Sequence, residues 1–468
     1  MQLRRLCGTA MFAALLSGLS AQFPDFKPST PMLGAALKND NEAMSKLLAA
    51  GVNPNEGRFF GWTALQIAVV HSNNDMAKSL LAHGADPAAV DGNGNTTLMW
   101  AVGGEVPNPA MIDELLKLGA DPNVKNKMGE SALTWAFRRG NMEAAARLKA
   151  AGATDTAAIR LAAENAISVL QKSAPQFVKV SGCTSCHHQS LPQMLNGAAR
   201  KRGFTLDETV SAQQVKSVMA MFRPVREKLA DGSTIPPNPG ISVGYSLLGL
   251  EAEGYAPDET TAAMAVSILR TQLPDGSFAI LPARPPMEAS AFTSTALSLR
   301  SLQVYGRNAE ANITKAREWL ARTKASTNED KTMRLLGLAW SNAPKAEIER
   351  AAADLLSGQR PDGGWAQLAG LESDAYATGQ SMAALQMSGM ADVAGNVYQR
   401  GVAYLLRTQL ADGSWLVRTR SNPVQPLKDS GFPHGRDQWI SAAGTSWAAM
   451  ALTLSQPVTA AGAATENQ

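Results

Sequence analysis

Leu269-Arg270-Thr271-Gln272-Leu273-Pro274-Asp275-Gly276-Ser277-Phe278 decides the architecture, because it recurs as LSGQRPDGGW at Leu356–Trp365 and as LRTQLADGSW at Leu406–Trp415. A weaker copy, EKLADGS at Glu227–Ser233, precedes them. In each copy a helix ends near Gln or Leu, Asp-Gly makes a tight turn, and an aromatic residue closes it. Ala-rich stretches of helical character follow at Gly244–Glu253, Ala289–Gln303, Asp374–Met387 and Gln438–Leu454. With degenerate turns near Lys324–Glu329 and Ser181–Ser190, the pattern predicts six helix–turn–helix units between about residues 156 and 456.

This Gln…Asp-Gly-Ser/Gly-Trp pattern resembles the QW repeat of squalene cyclases and related prenyltransferase-like proteins. The resemblance covers about 300 residues. It implies an (α/α)6 toroid, six inner helices inside six outer ones, with the turns before the inner helices on one rim. It says little about activity, since one fold hosts many functions. The cyclase reading implies an Asp-x-Asp-Asp acid cluster, which the sequence lacks; the nearest feature is Glu372-Ser373-Asp374. Asp374 heads an expected inner helix, where it reads as a cap, with a catalytic acid as the alternative. Candidate aromatic lining is thin: Tyr245, Phe292, Tyr376, Trp439 and Trp447. The zinc site implied by the protein prenyltransferases finds no toroid cysteine beyond Cys183 and Cys186.

Upstream the period is different. Gly51-Val-Asn-Pro54, Gly84-Ala-Asp-Pro87, Gly119-Ala-Asp-Pro122 and Gly152-Ala-Thr154 recur at steps of 33, 35 and 33. Trp62-Thr63-Ala64-Leu65, Thr96-Thr97-Leu98 and Ser131-Ala132-Leu133 run in phase with them. The hydroxyl residues suit helix N-caps, and each Gly suits a left-handed turn. Such units cannot bury an apolar face alone and must stack. The pattern resembles ankyrin repeats over about residues 30–155, roughly four units. His71 and His83 fall inside it as structural residues.

Composition agrees with a folded chain of about three domains: 468 residues, 45% hydrophobic and 18% charged, which excludes wholesale disorder and collagen-like structure. Lys and Arg (43) nearly balance Asp and Glu (40), so nothing marks nucleic acid as a partner. Arg4 and Arg5, the apolar Met11–Leu19 and the small Ser20 and Ala21 suggest a signal peptide over residues 1–21. The expected location is periplasmic or secreted, with no transmembrane segment. Residues 457–468 are expected to form a disordered tail.

The two cysteines beyond that leader form one motif, Cys183-Thr184-Ser185-Cys186-His187, followed by His188. C-x-x-C-H in an exported chain matches covalent haem c attachment. Two thiols three positions apart suit the two vinyl groups, and the following His suits the iron. Met194, His188 or His434 is the candidate second iron ligand. A thiol–disulfide centre is a second reading, although the segment lacks a thioredoxin-like context. Zinc held by both thiolates with His187, His188 or His434 is a third. A structural cysteine pair is the last.

The expectation is therefore all-α: an ankyrin repeat solenoid followed by an (α/α)6 toroid with C-x-x-C-H in its first turn. The expected function is haem c binding with an electron-transfer role and a redox partner, while the ankyrin repeats hold a protein partner. Two alternatives stand beside it. One is a non-redox toroid enzyme acting on a lipid or glycan, with Asp374, His434 and Asp437 as acid/base groups. The other is a zinc-binding interaction scaffold.

Overall fold

The computed structural model describes residues 29–460, apart from 105–107, 154–155, 282–283, 394 and 423–425. The expected leader at residues 1–21 and tail residues 461–468 lie outside the described residues. The start of that tail is tied down, since the Thr459 N–H donates to the Lys201 carbonyl at 3.1 Å. The described residues are helical, with only isolated two-residue bridges between extended segments. None of their helices is long and apolar enough to cross a membrane. Two compact units divide at residues 158 and 159.

The first unit holds four pairs of a seven- and a nine-residue helix: α1 (Pro31–Leu37) and α2 (Asn41–Ala49), α3 (Ala64–Val70) and α4 (Asn74–Ala82), α5 (Thr97–Gly103) and α6 (Pro109–Lys117), α7 (Ala132–Arg138) and α8 (Met142–Ala150). Thr30, Thr63, Thr96 and Ser131 cap the short helices; Asp40, Asn73, Asn108 and Asn141 cap the long ones. Each cap takes up a backbone N–H that the helix start leaves unpaired. Gly51, Gly84, Gly119 and Gly152 follow the long helices with φ between 77° and 88°. Amide side chains join successive repeats: Asn73 Nδ2 donates to Asn39 Oδ1, and Asn108 Nδ2 to Asn74 Oδ1, both at 2.7 Å. Trp62, Trp100 and Trp135 form an aromatic column, with centroids 4.3 and 5.1 Å apart. His83 caps α4 and its Nδ1 lies 2.8 Å from the Ser79 carbonyl, while His71 caps α3.

The second unit is a closed ring. Its inner helices are α10 (Leu191–Arg200), α13 (Pro239–Ala252), α15 (Ala291–Tyr305), α17 (Asn328–Trp340), α19 (Ala375–Met387) and α21 (Gln438–Leu454). Each packs on the next, and α21 packs back on α10. Most of their residues are buried, whichever way they face, as a helix enclosed by others requires. Outside them lie α9 (Thr156–Ser181), α11 (Glu208–Phe222) with α12 (Arg226–Asp231), α14 (Glu259–Leu269), α16 (Glu310–Arg322), α18 (Lys345–Leu356) and α20 (Asn396–Thr408).

The repeated decapeptide makes the joints of this ring. Gln272, Gln359 and Gln409 each donate from Nε2 to the carbonyl of their own turn glycine, Gly276, Gly363 or Gly413. The same amides also reach the next outer segment, at Asn312 O (2.9 Å), Val397 O (2.7 Å) and Ala162 O (2.8 Å). The last of these joins the final turn to α9 and shuts the ring. The closing aromatics Phe278, Trp365 and Trp415 donate their backbone N–H to Thr295, Thr378 and Thr445 on inner helices. Trp365 and Trp415 also donate from Nε1 to Leu355 O and Leu405 O at 2.9 Å.

Candidate functional site

The C-x-x-C-H segment lies at the first of the six joints, between α9 and inner helix α10. Gly182 ends α9 with φ 69°. Ser185 then caps one π-helical turn, Cys186–Ser190, which runs directly into α10. Ser185 Oγ accepts the His188 N–H at 3.2 Å, and the Ser185 N–H donates to Gln189 Oε1 at 2.7 Å. Gln189 Nε2 donates to Ala174 O, fastening the turn to α9. The extra residue in a π turn rotates the side chains before it relative to α10, and such turns recur at functional sites.

Cys183 and Cys186 are free thiols; Cys183 is exposed and Cys186 half-buried. His187 is half-buried as well. Burial pushes the Cys186 thiol up to about 12, with Glu288 adding to the rise. A thiol held protonated at neutral pH is a poor nucleophile. Burial, His188 and Arg284 hold His187 well below the usual imidazole range, and burial alone takes His188 down to about 3. Both rings are therefore neutral near pH 7 and keep a lone pair.

Aromatic rings enclose the two imidazoles. His187 stacks on Trp439 with centroids 5.6 Å apart and meets Phe177 edge-on at 5.2 Å. His188 stacks on Phe177 at 4.7 Å and meets Phe432 edge-on at 5.9 Å. The His187 ring hydrogen-bonds through Nδ1, to Ser185 Oγ at 3.2 Å and in close contact to His188 Nδ1. That leaves Nε2 for a ligand.

Beyond the motif, Arg284, Glu288, Tyr245 and Tyr376 lie within electrostatic reach of Cys186. Arg284 makes a two-pronged pair with Glu288 at 2.9 and 2.8 Å, and both act on Cys186. The buried Glu329 of α17 accepts from Thr293 Oγ1 at 2.7 Å and from the Tyr376 hydroxyl at 3.0 Å. Burial nevertheless pushes its carboxyl up to about 7. Tyr245 and Tyr376 both feel Glu329 and Cys186, and burial raises both phenols. Arg420 donates from Nε to Gln367 Oε1 at 2.7 Å and lies within electrostatic reach of Asp374, Glu329 and Tyr376.

The remaining candidates occupy fixed structural posts. Asp374 caps α19, with Oδ1 accepting from Ala377 N at 2.8 Å and Oδ2 from Gln367 Nε2 at 2.9 Å. Asp437 accepts from Thr419 N at 2.9 Å and from Arg418 at 2.8 Å. His434, at φ 86°, sets Nε2 2.7 Å from the Ser414 hydroxyl, which in turn donates to Asp412 of the last Asp-Gly turn. Met194 is packed in the toroid core. Among the described residues, no three His, Cys, Asp or Glu side chains converge as a metal site. Phe177, Arg284, Glu329 and Arg420 escaped the sequence reading. Glu329 carried a signal, a carboxylate in the buried i, i+4, i+7 register with Met333 and Leu336.

Comparison with known proteins bears on the first unit. Residues 32–126 match the model for ankyrin repeats (3 copies). Mitochondrial disaggregase from Homo sapiens is 38% identical to this chain over 78 residues, and that from Bos taurus is 35% identical over 78 residues. Each alignment covers 17% of this chain and 11% of the relative, so the chain spans about a tenth of the length of these relatives. Stacked ankyrin repeats are a protein-interaction architecture, and residues 32–126 carry that architecture.

Proposed function

We propose that this chain is an exported, haem c-binding redox protein whose ankyrin unit engages a protein partner. The observation that carries the reading is the turn in which two free thiols precede a neutral, half-buried imidazole whose ring hydrogen bonds run through Nδ1. Cys183 and Cys186 would anchor the group and His187 Nε2 would meet the iron. Bound there, haem supplies a one-electron couple. Trp439 and Phe177 fix the plane of the His187 ring, and the Arg284 guanidinium acts on both Cys186 and His187. The tied-up positions of Asp374, His434 and Asp437 favour this reading over an acid/base toroid enzyme.

The test is expression with a working haem-attachment system. A Soret band and haem staining that survive denaturation are expected, and both should vanish together in Cys183→Ser/Cys186→Ser. Colourless wild-type protein would contradict the proposal, and stoichiometric zinc in it would move the assignment to a metal scaffold.

A further inference from the structure

We propose that His188 is a positioning residue that accepts the Nδ1 proton of His187 and so sets the electron donation of the iron ligand. The inference rests on the haem reading above. Iron binding at Nε2 would leave the His187 proton on Nδ1, which must then find an acceptor. Two atoms face it, Ser185 Oγ at 3.2 Å and His188 Nδ1 in close contact. Ser185 Oγ already accepts the His188 N–H, and its own proton has Gln189 Oε1 within 3.3 Å. His188 Nδ1 lies in close contact with His187 Nδ1 and makes no other side-chain hydrogen bond among the described residues.

The burial of His188 is otherwise hard to explain. It is 0% exposed, flanked by Phe177 and Phe432, and its Nε2 is buried without a partner. An orphaned buried donor is destabilising, and a phenylalanine at the same place would avoid that cost. The imidazole is explained if its other nitrogen has a task. A neutral His188 accepting at Nδ1 carries its proton on Nε2, which matches the orphan. Partners of this kind orient metal-bound histidines and raise their basicity.

The experiment compares wild type, His188→Phe and His188→Asn as haem-loaded full chains. His188→Phe should keep covalent haem but favour the ferrous state about tenfold more, an upward shift of roughly 59 mV for a one-electron couple. His188→Asn, which restores an acceptor oxygen, should return most of the shift. Equal potentials in all three haem-loaded proteins would overturn the inference. A second readout needs no variant: nitrogen NMR of the diamagnetic carbon monoxide adduct should show coupling from the His187 Nδ1 proton to His188 Nδ1. Coupling absent there would overturn the inference too. Haem missing from the wild type would instead remove the reading on which it stands.

Discussion

The ankyrin unit and the toroid are both built from capped helix pairs and left-handed glycines, yet glycine does different work in each. Gly51, Gly84, Gly119 and Gly152 have φ near 80°, and a Cβ added to any of them would meet nothing within 4 Å. Gly276, Gly363 and Gly413 share that conformation, but a Cβ there would lie 2.4–2.6 Å from the carbonyl of Lys315, Arg400 or Asn165 on an outer helix. The solenoid glycine answers to its own backbone alone. The toroid glycine answers also to a neighbour pressed against it. An open stack tolerates slack at each turn, whereas a ring must close, and Gly413 with Gln409 is where it closes on α9.

Substitutions sharpen that contrast. Gly413→Ala adds left-handed strain to a clash with backbone, so a loss of about 4 kcal/mol is expected in denaturant unfolding. Glu329→Gln tests the ring interior through pH. The folded carboxyl titrates at about 7, above the usual 4.5, so the native state holds a proton that the unfolded chain releases earlier. This group's contribution is therefore full below pH 4.5 and lost as pH rises through 7. The variant should gain on wild type across that window by about 3 kcal/mol, and parallel pH curves would refute the assignment. Gln409→Ala removes bonds to two carbonyls and should cost about 2 kcal/mol, with faster hydrogen exchange in α9 near Ala162. Gly119→Ala, strained but unobstructed, should cost about 1 kcal/mol. If Gly119→Ala proved as damaging as Gly413→Ala, the distinction between open and closed repeats would fail.

The architecture was legible because its signals are local. Cap residues, Asp-Gly turns and left-handed glycines act within a few residues, so spacing alone exposed both periods and all six joints of the ring. The candidate site was legible only where it is contiguous, at Cys183, Cys186, His187 and His188. Arg284 acts on Cys186 and His187 from a separate turn, and no periodicity ties it to the motif. Asp374 shows the opposite difficulty. An aspartate at a helix start reads alike in one dimension whether it caps or catalyses, and its carboxylate here is committed to Ala377 N and Gln367. His434 likewise looked like a distant ligand and is instead bonded to Ser414.

What the turn at Cys183–His187 carries decides the proposed function. Intact-mass measurement of the full chain, matured in cells that attach haem, tests it most directly. The predicted result is the polypeptide plus one haem, reverting to bare polypeptide in Cys183→Ser/Cys186→Ser; a wild-type chain without the added mass would contradict it.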